Sequence, residues 1–355
     1  MKNNDLQKYI GDENLTVVEI MKKIDFNSAG ILYIVDGKGS LEGSISDGDV
    51  RRWIIKTGDL SGVAKEIMNR KVRFVMEGDT IDYLLFLNNY VINSVPVVKD
   101  DHSIVDIIFR KNSDPISINQ SNALNDTPVI VMAGGKGTRL YPYTKIIPKP
   151  LIPINGIPIL ERILDRFHNY GVNEFYLTVN YKKGMIKAYF NEEQPKYKIH
   201  YIEEDKPLGT AGSIRLINDK FDKPIIVTNC DILIETDYQK ILQYHVKSKN
   251  DMTIVASLKN TMIPYGVLHI GEKGIVQSME EKPVMSNLIN TGMYIINPKY
   301  FDWIPKNTFF HMTDLAEKMI KAAKQVGVYP ISEDSFLDMG QFEEIKKMEE
   351  RITKK

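Results

Sequence analysis

The sequence predicts an α/β protein: a domain with a mainly parallel sheet over residues 128–355, preceded by a smaller α+β domain over residues 1–112 and a linker over 113–127. Three observations lead there. From Pro128 onward, strand-like and helix-like segments alternate, the pattern of a parallel sheet covered on both faces. Before that point a helix–strand–strand–helix unit occurs twice, about 63 residues apart. At 355 residues, 43% hydrophobic and 26% charged, the chain is long and apolar enough to fill more than one core.

The first third carries the repeat. Val17, Ile20, Met21 and Ile24 sit at helical spacing within Leu15–Phe26, with Thr16 as the cap. Ile31–Val35 and Leu41–Ser46 read as short strands around the Gly37–Gly39 turn, and Asp47–Lys56 as a second helix. In the second copy Thr80–Tyr90 is the helix, Val95–Val98 and Ile104–Ile108 are the strands, and Asp100-Asp101 is the turn. The stretch GSISDGDVR, Gly43–Arg51, makes this half resemble a pair of CBS modules. The resemblance implies an adenine nucleotide, with Ser46 on its phosphate and Asp49 on its ribose, and a homodimer formed through the pair. A helix cap completed by Arg52 is an equal reading of the same two residues. The offset puts Phe109 and Asn112 at the matching positions of the second copy, so at most one nucleotide site is expected. Residues 113–127, polar and containing Pro115, lack periodicity and read as the linker.

The C-terminal part opens on VIVMAGGKGTRLYPYTKIIPKPLIP, residues 129–153. Val129–Met132 is a short apolar run fit for a buried parallel strand. Ala133, Gly134, Gly135, Gly137 and Thr138 then form a turn whose amides can approach an anion, with Lys136 and Arg139 adding positive charge. Lys136 is followed by Gly137 rather than Ser or Thr, which rules out a Walker loop; the glycine spacing also fails the dinucleotide fingerprint. Five prolines between Pro142 and Pro158 exclude a continuous helix and predict a stiff, extended path around Lys149.

Further along, Ile159, Leu160, Ile163, Leu164 and Phe167 form a helical stripe, Phe175–Val179 a strand, Met185–Phe190 a helix and Ile199–Glu203 the next strand. Pro224–Thr228 is an apolar strand with Asp231 just past its carboxyl end, the edge where open α/β sheets bind ligands. Val267–Ile270 and Ile275–Met279 read as a hairpin, Val326–Ile331 as a strand followed by Asp338, and Glu317–Gln325 and Glu343–Ile352 as packing helices.

The AGG-x-GTRL loop followed by PKP resembles the signature of the sugar-1-phosphate nucleotidyltransferases, as do the segments EEDKPLGTAG, EEKP and NTG. The fold expected is therefore Rossmann-like. The resemblance implies transfer of a nucleoside monophosphate to a sugar 1-phosphate, with release of pyrophosphate. It assigns the triphosphate to the Ala133–Thr138 loop and Arg139, and the sugar phosphate to Lys149 and Lys282. Mg²⁺ goes to Asp231 and Asp338, the nucleotide to Glu204, Gly209 and Thr210, and the sugar to Gly266, Glu281, Asn290 and Thr291. Guanine offers two adjacent donors, which one carboxylate accepts, so a glutamate at position 204 favours GTP. The domain order with this loop resembles the guanylyltransferases acting on glucosamine 1-phosphate in legionaminic acid synthesis. Mannose- and heptose-1-phosphate guanylyltransferases remain alternatives, as does a non-catalytic nucleotide sensor.

Lys+Arg and Asp+Glu balance at 46 each, which argues against nucleic acid or a charged membrane surface as partner. No run approaches the ~18 apolar residues of a membrane span. The polar N-terminus is unlike a secretion signal, and the single Cys230 suits a reducing compartment, so a cytoplasmic location is expected.

Overall fold

The computed structural model describes residues 6–27, 29–90, 92–110, 122–340 and 342–353. The chain forms two compact units, Met1–Ile118 with Leu258–Leu288, and Asn119–Ser257 with Ile289–Lys355. The sequence reading kept Leu258–Leu288 with the C-terminal half. Leu258 and the packed Leu288 instead join the cluster of Val17, Ile20, Ile45, Val50 and Ile54.

In the first unit the order is β1 (Ile10–Asp12), α1 (Val17–Asn27), β2 (Ile31–Val35), β3 (Leu41–Ser46), α2 (Asp47–Thr57), α3 (Ala64–Ile67), β4 (Val75–Met76), α4 (Tyr83–Asn89), β5 (Ser94–Val98) and β6 (Ile104–Phe109). Strands β1–β3 make one sheet and β4–β6 another, each with one parallel and one antiparallel pair. The two ladders share a register. Ile31 faces Ser46 as Ser94 faces Phe109, and the irregularity after Ile34 recurs after Val97. The repeat in the sequence is thus a repeat of hydrogen bonding. Helix α4 is shorter than Thr80–Tyr90. Asn112 and most of the 113–127 linker lie outside the described residues.

The second unit contains β7 (Val129–Met132), the short strands β8 (Pro153–Ile154) and β9 (Ile157–Pro158), α5 (Ile159–His168), β10 (Glu174–Val179), α6 (Lys183–Glu193), β11 (Lys198–Glu203), α7 (Gly209–Gly212), β12 (Ile225–Asn229), β13 (Ile232–Ile234) and α8 (Tyr238–Lys247). Strand β14 (Met252–Met262) leaves this unit at Leu258, the hairpin β15 (Gly266–Ile270) and β16 (Val276–Glu281) follows, and β17 (Val284–Ile296) re-enters at Ile289. Helix α9 (Met312–Lys321), β18 (Val326–Ile331), β19 (Phe336–Asp338) and α10 (Phe342–Thr353) complete the chain.

The central sheet has the order β11-β10-β7-β12-β17-β14-β18. Strands β7, β10, β11 and β12 run parallel, and β17 is antiparallel to β12. All of β7 is buried because both faces of the sheet are covered. Val129 and Val131 point into a core shared with α5, while Ile130 and Met132 point into one shared with α9. The five apolar residues of α5 are buried together, as their spacing predicts. Around Lys149 the prolines do exclude an α-helix. The path, however, is not extended. It folds into 3₁₀ turns at Thr138–Leu140, Tyr143–Lys145 and Lys149–Leu151, since the φ imposed by proline also suits the first residues of such turns.

Candidate active site

The parallel strands β7, β10, β11 and β12 place their carboxyl ends on one edge, and a cleft of about 380 Å³ opens there. Its walls include Gly134, Gly135, Gly137, Thr138, Arg139 and Lys149 from the segment after β7. Glu204, Gly209 and Thr210 come from the loop after β11, and Asn229 and Asp231 from the end of β12. Residues between 134 and 231 that the sequence named separately therefore share one cavity. Ala133 is buried immediately behind the loop and belongs to the core, so only its backbone adjoins the turn.

Asp231 and Asp338 are held by the small antiparallel sheet β13–β19, where Ile232 faces Asp338 and the Met339 amide donates to the Asp231 carbonyl at 2.9 Å. Lys149, a residue only 7% exposed, pairs its ammonium with the Asp231 carboxylate. Burial raises the pKa of Asp338, the Asp231 charge raises it further, and Lys149 and Arg139 pull it back. Two acids and two cations from three separate stretches of the sequence, around 139–149, 231 and 338, thus act on one another. Among the described residues no three His, Cys, Asp or Glu side chains gather into a metal cage. Asp231, which lines the cleft, and Asp338 are the carboxylates that could hold a divalent cation such as Mg²⁺, an ion that needs one or two carboxylates and keeps waters and phosphate oxygens in its shell. Cys230, next to Asp231 in the chain, is buried, and burial pushes its thiol up to about 12, leaving a neutral packing residue.

The neighbouring acids Glu203 and Glu204 diverge. Glu203 is exposed and pairs with Lys183 and Lys187, which hold its pKa down to about 2. Glu204 is 5% exposed and its pKa is raised by burial. Its Oε2 accepts from the Leu208 amide at 3.0 Å, and a Cβ on Gly134 would come within 2.6 Å of its Oε1. The Leu208 amide pulls the pKa back, while the buried Ser213 hydroxyl lies outside hydrogen-bond geometry. Glu204 is therefore fixed against the glycine loop at the cleft, while Glu203 is a solvated surface acid.

Other predicted residues have local duties. Thr291 is buried; its hydroxyl donates to the Val255 carbonyl at 2.7 Å and accepts from the Met293 amide. Asn290 donates to the Tyr294 hydroxyl and accepts from the Gly292 amide. Gly266, Glu281 and Lys282 sit on or beside the β15–β16 hairpin of the first unit, where Gly266 faces Glu281. Ser46 and Asp49 form a complete capping box at the start of α2, with Arg52 on the second Asp49 oxygen. Phe309 and His311 also line the cleft and were not singled out from the sequence. Nothing local marked them: the partner of His311 is Thr210, about a hundred residues earlier, and Phe309 packs on His311.

This sheet, glycine loop and charged cleft define a nucleotidyl transferase. Residues 128–355 match the Nucleotidyl transferase family, and the chain belongs to it. Among relatives, D-glycero-alpha-D-manno-heptose 1-phosphate guanylyltransferase of Campylobacter jejuni is 34% identical over 214 residues, 59% of this chain and 93% of that protein. Bifunctional protein GlmU of Methanococcus maripaludis is 34% identical over 208 residues, 56% of this chain. The chain spans only 48% of that relative's length. The crystal structure of HddC from Yersinia pseudotuberculosis superposes with a TM-score of 0.51 at 28% identity, over 64% of this chain and 99% of HddC. A further HddC structure contains GMP-PN. Among the described residues no helix is long and apolar enough to cross a membrane.

Proposed function

We propose that the protein transfers GMP from GTP to a sugar 1-phosphate, glucosamine 1-phosphate in our reading, giving a nucleoside-diphosphate sugar and pyrophosphate. The observation that carries this is the joining of the Gly134–Gly137 loop, Arg139, Lys149 and Asp231 in one cleft at the carboxyl ends of the parallel strands. A sugar 1-phosphate oxygen attacks the α-phosphorus of the triphosphate, and the bond to the β-phosphate oxygen breaks. The nucleophile is already ionised, so the protein needs no general base. Its task is to align two anions and offset their repulsion. Loop amides and Arg139 hold the triphosphate; Lys149 receives the incoming phosphate. Asp231 and Asp338 would hold Mg²⁺, which when bound supplies further positive charge to the phosphate oxygens. Glu204 accepts the paired donors of guanine.

A relative matched over 93% of its length acts, by its name, on a heptose 1-phosphate, which supports a second reading with that sugar. By the family resemblance Lys282 takes the sugar phosphate with Lys149, and Gly266, Glu281, Asn290 and Thr291 take the sugar. The first unit, read as a CBS pair, would join copies as a homodimer and take an adenine nucleotide at Ser46 and Asp49 only by opening the capping box. The test is pyrophosphate release over four nucleoside triphosphates crossed with glucosamine, mannose and heptose 1-phosphates. Release with GTP and one of these sugars is expected; no release in any combination overturns the proposal.

A further inference from the structure

We infer that His311 is a specificity-determining residue: its Nε2–H donates to the 6-oxo group of the bound purine while Glu204 accepts from the adjacent ring N–H and amino group. This rests on the guanylyl-transfer reading and extends it to a residue that no sequence motif marked. The chain after β17 returns to the Glu204 loop and is stitched to it. The Phe310 amide donates to the Leu208 carbonyl at 2.9 Å, and the Phe310 carbonyl accepts from the Ala211 and Gly212 amides at 2.9 and 3.1 Å. The approach is so close that a Cβ on Gly209, which has φ of +77°, would lie 2.6 Å from the Phe310 oxygen. The same loop carries the Leu208 amide that fixes Glu204. The Glu204 carboxylate and the His311 ring are therefore tied to one short segment, and both line the cleft.

The hydrogen bonds of His311 settle which ring nitrogen carries the hydrogen. Its Nδ1 lies 3.4 Å from the Thr210 amide nitrogen and 3.3 Å from the Thr210 hydroxyl. A backbone amide only donates, so Nδ1 is the acceptor and the neutral ring carries its hydrogen on Nε2. The Thr210 hydroxyl accepts from the Met312 amide at 3.0 Å, which turns its own hydrogen toward Nδ1. Among the described residues Nε2 makes no hydrogen bond. Phe309 packs edge-on against the imidazole, centroids 4.7 Å apart, yet is 58% exposed and lines the same cleft. It supplies an apolar face for a base beside a fixed donor. Guanine presents an acceptor, O6, next to its two donors. A carboxylate satisfies only the donors, so an N–H at this wall supplies the missing partner. Adenine would bring an amino group against that N–H, and the two donors would meet unpaired.

The test is kcat/KM of the full chain, and of His311→Ala and His311→Gln, with GTP, ITP and 6-thio-GTP, whose sulfur is a weak acceptor. Wild type should favour GTP over 6-thio-GTP by about tenfold, the scale of one lost hydrogen bond. His311→Ala should bring that ratio close to one while the GTP/ITP ratio, which reads the amino group at Glu204, stays as it was. His311→Gln retains a donor and should restore part of the ratio, which guards against a fold defect in the alanine variant. A GTP/6-thio-GTP ratio unchanged in His311→Ala, with GTP still the preferred nucleotide of wild type, overturns the His311 assignment alone. Wild-type preference for UTP or dTTP over GTP overturns this assignment and the guanine reading together.

Discussion

Two places in the molecule use the same chemistry, a carboxylate and neighbouring polar groups at the end of a strand, to opposite ends. At the start of α2, Asp49 spends both oxygens on residues three positions away: Oδ2 accepts the Ser46 amide at 2.8 Å and the Ser46 hydroxyl, and Oδ1 pairs with Arg52. At the end of β12, Asp231 pairs with Lys149, 82 residues earlier in the chain, and acts on Asp338, more than a hundred residues later. The first arrangement closes on itself and stabilises a helix end. The second concentrates charge that the backbone does not need, beside an open cleft. Whether a polar group is consumed by its sequence neighbours therefore separates a cap from a ligand site better than residue type does.

Removing Asp231 is the most direct way to break this contrast. Asp231→Asn should lower kcat by on the order of 10²–10³-fold, the usual cost of deleting a group that stabilises charge in the reacting complex. Circular dichroism should show an unchanged fold. Steady-state rates like those of wild type would show that the carboxylate pair is structural, as at Asp49.

Glu204→Gln sharpens the comparison by changing what the cleft reads. An amide offers one donor and one acceptor, so it matches uracil and thymine better than guanine. The ratio of kcat/KM for GTP over UTP should fall by about 10–100-fold, the scale of a mispaired polar group in a binding site. An unchanged ratio would mean that the base lies elsewhere.

The same residue carries a pH signature. Burial raises the folded pKa of Glu204 above its ordinary 4.5, so between those values the folded chain binds more protons than the unfolded one. Stability then falls as pH rises through that window. The destabilising effect is absent below about 4.5, the ordinary value, and fully present above the folded pKa. Urea denaturation of wild type and Glu204→Gln should diverge as pH is raised from 4 to 7, the variant gaining relative stability. Parallel pH profiles would place Glu204 in a solvated setting like that of Glu203.

These effects also show what was legible in the sequence. Val129–Met132 announces a strand buried on both faces because each of its four residues must be apolar, and the structure sends them alternately into two cores. The Gly134–Arg139 loop is legible because a glycine-rich turn is set by adjacent residues, and the structure puts it on the cleft wall. The start of α9 was misplaced because its cap is His311, a residue outside the usual capping set, held by Asp314 on one side and Thr210 on the other. The grouping of Leu258–Leu288 with the first unit was not legible either, since it depends on Leu258 meeting side chains two hundred positions away. What sequence shows least is a contact whose two halves are distant and individually ordinary.

The smallest effect tests the other side of the comparison. Ser46→Ala removes the hydroxyl that accepts from the Asp49 amide and leaves Asp49 with its Ser46 amide and Arg52 partners. The loss should be about 1 kcal/mol of stability, as for other N-cap serines. Urea denaturation reads it directly, and turnover should stay within about twofold, because no bond of the capping box reaches the cleft machinery. Equilibrium dialysis with AMP and ATP completes the test. If the cap is the whole role of Ser46, neither wild type nor the variant binds. If wild type binds an adenine nucleotide that the variant loses, Asp49 opens its local bonds for a ligand, and local saturation no longer distinguishes the two places.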